Sequence, residues 1–222
     1  MQYRAAIFDL DGTLVDTLED LAISVNEMLA SYGFPTHPLD EYRYYLGNGS
    51  KKLIERTLPK EKAADEAFVL EAMKRYQAIY EHHRDHTGPF PGIQAMLDAL
   101  KAKGIPMAVI TNKAHAFTIP LLEMTGLAGY FDVVVSGDTL PKIKPDPMAL
   151  VWACGRLDVS PADAVFVGDS VNDFLAGRAA GCHVFLLPYG YNEGRDVQEL
   201  DCDAIVPSVL SAAQRIRKIK TA

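Results

Sequence analysis

Six short apolar runs punctuate this chain: AAIF (5–8), PMAVI (106–110), DVVV (132–135), AVFV (164–167), HVFLL (183–187) and DAIV (203–206). They are rich in Val, Ile and Phe and nearly continuous, whereas a strand with one wet face alternates apolar and polar residues. Continuous runs belong to strands buried on both faces, hence to a parallel sheet with helices on each side. Amphipathic segments separate most of the runs, at 91–103, 113–125, 146–157, 171–180 and 207–219. The β–α alternation predicts an α/β fold, a doubly wound parallel sheet of the Rossmann-like kind.

One stretch breaks the rhythm. Between the first two runs lie nearly a hundred residues with no strand signal, far more than a crossover needs. Leu18, Leu21, Ala22, Val25, Met28 and Leu29 recur there at helical spacing, with Asp16 or Thr17 as N-cap and Gly33 as stop. Further helices are predicted around 39–46, 50–58 and 61–84. Residues 17–88 are read as an inserted helical cap domain, and residues 1–16 and 89–222 as the core. A stripe of Met73, Tyr76 and Tyr80 in the insert is read as helix packing. A length of 222 residues suits one full domain carrying a smaller one.

The formal net charge of −7 argues against nucleic acid as a partner, because phosphate backbones need clustered Lys and Arg. The one basic run, RIRKIK (215–220), alternates Ile with charge and is read as a solvated helix end. No apolar stretch approaches the ~20 residues of a membrane span. The N-terminal MQYRAAIFDLDG places acids where a signal peptide needs an apolar core. Cys154, Cys182 and Cys202 show no CxxC spacing, and their odd number argues against a disulfide framework. The expectation is a cytoplasmic protein with no membrane or nucleic-acid partner, working as a monomer or homodimer.

Ligands of such sheets bind beyond the carboxyl ends of the strands. At these ends stand Asp9-Leu10-Asp11-Gly12-Thr13, then Thr111-Asn112-Lys113, then Lys144-Pro145-Asp146-Pro147 and finally Gly168-Asp169-Ser170-Val171-Asn172-Asp173. In extended backbone, residues two apart point the same way, so Asp9 and Asp11 both face one cavity while Gly12 turns the backbone away. Two carboxylates so close either share a cation or divide one proton between them. Asp169 and Asp173 offer further oxygen donors, and these loops contain no histidine. The set suits Mg²⁺ rather than zinc. An anionic nucleophile, a neighbouring acid, a divalent cation, a hydroxyl and a lysine together fit phosphoryl transfer.

DLDGTLVDT (9–17), TN at 111–112, KP at 144–145 and GDSxxD at 168–173, in this order, resemble the four motifs of the haloacid dehalogenase-like phosphohydrolases. The resemblance runs over essentially the whole sequence. It implies that Asp9 is the nucleophile and becomes an aspartyl-phosphate. It implies that Asp11 is the general acid/base, protonating the leaving alkoxide and then activating water. Thr111 and the N–H of Asn112 would hold the transferring phosphoryl group, and Lys144 would bridge it to Asp9. Mg²⁺ would be held by Asp9, the backbone carbonyl of Asp11 and Asp169, with Asp173 acting directly or through a water. The helical insert resembles the family's first cap class, which closes over a small anionic phosphate ester. Lys142 is left as a surface charge.

Finer features point further. YLGNGSKKLIERTL (45–58), TNKA (111–114) and LPYGYNEG (187–194) are similar to bacterial phosphoglycolate phosphatases. That similarity implies hydrolysis of 2-phosphoglycolate to glycolate and phosphate. Gly47, Asn48 and Gly49 then form a cap loop whose N–H groups approach the substrate. Lys51 or Lys52 pairs with its carboxylate, unless both are simply solvated helix lysines; Lys113 is weighed alike. The alternatives are a phosphatase or mutase for another small ester (sugar phosphate, nucleotide, pyrophosphate) and a non-catalytic binding protein of the same fold. A receiver-type signalling module shares strand-end acids, a Thr and a Lys, but carries no helical insert of about 70 residues, its fold filling only a common ~120-residue domain.

Overall fold

The computed structural model describes residues 2–218. The fold opens with β1 (Gln2–Tyr3) and β2 (Ala5–Phe8), and a tight turn leads to β3 (Val15–Asp16). Helices α1 (Leu18–Ser31), α2 (Tyr42–Tyr45), α3 (Gly49–Thr57), α4 (Lys60–Ala63) and α5 (Glu66–Tyr80) follow, and β4 (Gly88–Pro89) leads back toward the sheet. The rest alternates through α6 (Ile93–Ala102), β5 (Met107–Ile110), α7 (His115–Met124), β6 (Val133–Val135), α8 (Met148–Arg156) and β7 (Ala164–Gly168). It continues with α9 (Val171–Ala180), β8 (His183–Leu186), β9 (Ala204–Ile205), α10 (Val209–Arg215) and β10 (Arg217–Lys218).

Among the described residues, six strands form one parallel sheet in the order β6-β5-β2-β7-β8-β9. Ile7 of β2 stands level with Ala108 of β5 on one side and Phe166 of β7 on the other. The strands wind outward from β2 to β6, return to β7 and wind outward again to β9. That reversal opens a crevice at the carboxyl end of β2.

Period-two alternation sends successive side chains to opposite faces. Ala6, Phe8, Val109 and Val167 pack under Ile93, Leu97 and Leu100 of α6, Leu121 of α7 and Val209 of α10. Ala5, Ile7, Ala108, Ile110 and Phe166 pack on the other face under Leu150, Ala153 and Cys154 of α8 and Ala176 of α9. Both faces are therefore dry, and burying each large side chain contributes about 1.5–3 kcal/mol.

Helices α1–α5 build a separate apolar cluster. Leu18, Leu21, Ala22, Val25, Met28 and Leu29 of α1 are all buried, against Tyr42, Ile54, Val69, Ala72 and Tyr76, and the cluster reaches the sheet side at Phe117 and Tyr191. The two segments entering and leaving this helical stretch are joined as an antiparallel pair, Val15 opposite Pro89 and Asp16 opposite Gly88.

Two expectations need correction, and the N-cap of α1 falls where it is expected. The helix expected over 61–84 is two, because Asp65 caps α5: its carboxylate accepts the N–H groups of Ala67 and Phe68 at 3.1 and 3.2 Å. Thr17 occupies the N-cap position of α1 without a side-chain bond, while the Asp16 carboxylate accepts the Leu18 N–H at 3.2 Å. The basic run is no helix end. Helix α10 stops at Arg215, and Arg217 and Lys218 pair in parallel with Gln2 and Tyr3. Residues 219 and 220, with the expected helix end at 219, lie outside the described residues. No helix among the described residues is long and apolar enough to cross a membrane.

Candidate active site

The ladder of β2 runs one residue past its end. The Asp9 N–H donates to Val167 O at 2.9 Å, which sets the Asp9 side chain in the crevice between β5 and β7. The backbone then turns at once: Leu10 O accepts the N–H groups of Leu14 and Val15 at 2.9 and 3.0 Å. Gly12 takes a φ of +85°, and a Cβ there would lie 2.5 Å from the Asp169 carboxylate. Only glycine fits both demands.

Lys144 comes from the loop after β6 and is buried. Its Nζ donates to Ile110 O at 2.9 Å and lies 2.6 Å from Asp9 Oδ1 and 2.7 Å from Asp173 Oδ1. The Asn112 side chain braces that loop, donating to Lys144 O at 3.0 Å and accepting the Lys144 N–H at 2.9 Å.

At the exit of β7, Asp173 and Ser170 form a reciprocal capping box on α9. Asp173 Oδ2 accepts the N–H groups of Asp169 and Ser170 at 3.1 Å each and the Ser170 hydroxyl at 2.7 Å. The neighbouring Asp169 accepts the Thr13 hydroxyl and, at 2.6 Å, the Tyr191 N–H. The close approach of the loop after β8 requires Gly190, whose added Cβ would stand 2.1 Å from Asp169 Oδ2.

Asp11 is half-buried and holds a different pair. Its Oδ1 accepts the Thr17 hydroxyl at 2.7 Å and the Lys113 ammonium at 3.0 Å. Lys113 is buried and lies over the Tyr80 ring, 4.8 Å from its centroid. Its own N–H donates to Thr111 Oγ1 at 3.1 Å.

The electrostatics follow from this crowding. Burial pushes the Asp9 carboxyl up to about 7, with Lys144 opposing the rise and Asp173 adding to it. Burial, then the charges of Asp173 and Asp9, drive Asp169 well above the usual carboxylate range. Burial works against the Lys144 ammonium, yet Asp173 and Asp9 outweigh it and hold it charged. Burial likewise opposes Lys113, and Asp11 overcomes it. Four carboxylates thus face two ammonium groups, an excess that one divalent cation cancels. Oxygens of Asp9, Asp169 and Asp173 lie within 4.8 Å of one another, with neither His nor Cys among them. That donor set fits Mg²⁺.

A narrow cavity of about 60 Å³ opens above Asp9. Asp9, Asp11, Thr111, Asn112, Lys113 and Lys144 form its sheet side. Leu46, Gly47, Gly49, Ser50, Leu53, Tyr76 and Tyr80 close it from the helical segment. Gly47 O accepts the amides of Asn112 at 3.1 Å and Asn172 at 3.3 Å, seating that loop on the sheet side.

Several assignments change here. Lys51 and Lys52 do not reach the cavity. They are half-exposed and pair with Glu66 at 3.0 Å and Glu55 at 2.9 Å. On α3 the inward face carries Ser50 and Leu53, and positions 51 and 52 are rotated about 100° and 200° from Ser50. Asn48 turns to the rim, donating to Glu193 and accepting from Asn172. Tyr76 and Tyr80 pack as expected and also line the cavity. Nothing in the sequence pattern announces the contacts made by Thr17, Asn172, Tyr191 and Glu193. A signal does exist for Lys113, which stands two residues beyond Thr111 and so shares its side of an extended segment.

A family model described as haloacid dehalogenase-like hydrolase matches residues 6–187. The sequence is 51% identical over 219 residues to a phosphoglycolate phosphatase of Nitrosospira multiformis, covering 97% of this chain and 96% of that one. It is 50% identical over 218 residues to a phosphoglycolate phosphatase of Thiobacillus denitrificans, with the same coverage. A crystal structure of a predicted phosphoglycolate phosphatase from Haemophilus somnus superimposes with a TM-score of 0.92 at 32% identity, over 97% of this chain and 98% of that one. The chain belongs to the haloacid dehalogenase-like hydrolases, and within that family it is a phosphatase.

Proposed function

We propose that this phosphatase hydrolyses 2-phosphoglycolate to glycolate and inorganic phosphate through an aspartyl-phosphate on Asp9, in the cytoplasm and with Mg²⁺. The substrate reading rests on the full-length identity of 51% to a phosphoglycolate phosphatase. The chemistry rests on the 2.6 Å approach of Lys144 to Asp9 beside the acidic cluster. The free state of all three cysteines fits a reducing compartment.

Lys144 opposes the burial that holds the proton on Asp9, and it places positive charge where the phosphoryl oxygens arrive. Thr111 Oγ1 and the Asn112 N–H hold those oxygens. An Asp9 oxygen attacks phosphorus in line. The ester P–O bond breaks, and its electron pair leaves on the glycolate oxygen, which takes a proton from Asp11. Asp11, now a carboxylate, draws a proton from water, whose oxygen attacks the same phosphorus. The Asp9 oxygen–phosphorus bond breaks and phosphate departs, restoring both residues.

Asp9, Asp169 and the backbone carbonyl of Asp11 would hold Mg²⁺. Asp173, whose Oδ1 meets Lys144 and whose Oδ2 takes three donors at the start of α9, would join them directly or through a water. When bound, the ion supplies charge neutralisation between the carboxylates and the phosphoryl oxygens. Residues 17–88 act as a cap, with Gly47, Asn48 and Gly49 excluding water from the reacting group.

Initial rates over a panel of phosphate esters test the substrate. The highest kcat/KM is expected for 2-phosphoglycolate, with activity lost in EDTA; a sugar phosphate or nucleotide turned over better overturns it. Acid quench with phosphorus-labelled substrate should leave label on Asp9 and none on an Asp9→Asn protein.

A further inference from the structure

The cavity wall carries two ammonium groups, Lys144 and Lys113, and they are not equivalent. An ammonium has three N–H donors. Those of Lys144 are matched by Asp9 Oδ1, Asp173 Oδ1 and Ile110 O, all within 2.9 Å. Lys113 Nζ meets Asp11 Oδ1 at 3.0 Å and the Tyr80 side chain, whose hydroxyl it bonds and whose ring centroid is 4.8 Å away, which leaves one of its three N–H groups. It retains donor capacity that Lys144 lacks. That Asp11 oxygen is also already served by the Thr17 hydroxyl at 2.7 Å.

Position matters as much as capacity. Asp9 and Thr111 are the first residues beyond adjacent strands, and Asp11 and Lys113 each stand two residues farther on. The Lys113–Asp11 pair therefore lies one step out from the phosphoryl position. In-line attack by Asp9 sends the leaving oxygen away from Asp9. It goes toward Asp11, which must reach it to give a proton. In 2-phosphoglycolate the carboxyl carbon is two bonds beyond that oxygen, which brings the carboxylate to Asp11's partner. Leu21, Leu46, Leu53, Tyr76 and Phe117 give the remaining wall an apolar stretch that suits a short methylene, with Ser50 beside it. The other lysines near this loop, Lys51 and Lys52, are half-exposed and paired elsewhere.

We infer that Lys113 is the residue that reads the substrate's carboxylate, its ammonium turning from Asp11 toward the incoming anion. This rests on the phosphoglycolate reading. It narrows the substrate class to small phosphate esters bearing a second anion two atoms from the ester oxygen. Both anionic ends are then met by fixed charges, the phosphoryl group by Lys144 and the carboxylate by Lys113.

The test is the ratio of kcat/KM for 2-phosphoglycolate to that for ethyl phosphate, which lacks only the carboxylate. Lys113→Met should lower this ratio on the order of 100-fold, the scale on which a site built for a polar group rejects its absence. Lys113→Arg, which keeps the charge, should recover most of it. A ratio unchanged in Lys113→Met overturns the inference, because Lys113 then acts only through Asp11 or the carboxylate is read elsewhere. A wild-type enzyme without preference between the two esters overturns the phosphoglycolate reading itself, a failure visible before any variant is made. Calorimetric affinities of Asp9→Asn proteins, with and without Lys113→Met, give the same ratio where turnover is too slow to follow.

Discussion

Arg56 and Glu193 join helix α3 to the loop after β8, Arg56 Nη2 standing 2.8 Å from Glu193 Oε1 with both side chains largely withdrawn from water. The other Arg56 nitrogen donates to Tyr45 O at 3.0 Å, and Asn48 shares the same glutamate oxygen. These bonds span the edge of the cavity. They fix the start of α3, where Gly49 and Ser50 face Asp9 across it.

Arg56→Ala removes that clasp and leaves half-buried Glu193 with only a longer cationic contact, to Arg195 at 3.7 Å. The expected result is a KM for the small ester raised about tenfold with a lesser change in kcat, since a buried charge pair acts mainly on retention. Arg56→Lys should restore little, because one ammonium cannot serve Tyr45 O and Glu193 with the same fork geometry. Steady-state kinetics at low and high salt check both, with the wild-type KM the more salt-sensitive.

The raised Asp9 value makes a pH prediction with a definite sign. In the metal-free protein, Asp9 keeps its proton up to about 7, whereas the unfolded state releases it near the ordinary carboxylate value of 3.8. Between those limits the folded state binds the extra proton, so stability falls as pH rises through the window. It is fully present below the lower limit and lost above the upper. Asp169, shifted the same way, adds to the slope. Thermal melts in EDTA should therefore decline from about pH 4 to pH 7. Excess Mg²⁺, which favours the carboxylates, should flatten that decline, and so should Asp9→Asn.

Asp11 and Asp169 should separate cleanly. Asp11→Ala deletes the proton donor and should slow turnover by about 10²–10⁴. Its proposed metal contact is the backbone carbonyl, which the substitution keeps, so Mg²⁺ affinity measured by calorimetry should hold. Asp169→Ala removes a side-chain oxygen and should weaken Mg²⁺ strongly. Equal loss of affinity in the two proteins would refute this division.

Much of the fold was legible because dry strands write themselves as unbroken apolar runs: β2, β5, β6, β8 and β9 fall inside such runs, and β7 outlasts its run by Gly168 alone. The pairs β1–β10 and β3–β4 were not, since strands of two residues have no periodicity to read. At the site, Asp9, Asp11, Thr111, Lys144, Asp169 and Asp173 were visible because each sits at a strand exit. Lys51 and Lys52 mislead because spacing along a helix does not say which face meets the cavity. That face is set by Leu53 and Ile54, whose burial becomes evident only in the packed cluster. Tyr191 bonds to partners more than 170 positions away in sequence, a relation no local pattern encodes.

Tyr191 carries the last prediction. Its hydroxyl donates to the Asp16 carboxylate and accepts the N–H groups of Thr17 and Leu18 at 3.0 and 3.1 Å. Those N–H groups open α1 and have no partner within the helix. A side chain from the far end of the fold thus does the capping that the Thr17 hydroxyl, committed to Asp11, does not. Burial, reinforced by Asp16, pushes the Tyr191 hydroxyl far up, so it stays a neutral donor at working pH. Tyr191→Phe keeps the ring and the backbone N–H that donates to Asp169, and deletes only the cap. It should cost about 1–3 kcal/mol, the penalty for leaving the buried Thr17 N–H unmatched while Leu18 keeps the Asp16 carboxylate at 3.2 Å, read as a lower urea midpoint at unchanged m. Mg²⁺ affinity should stay at the wild-type value, because the contact to Asp169 survives. A variant that keeps its midpoint but loses Mg²⁺ would reverse the assignment, making the hydroxyl part of the metal site rather than the cap of α1.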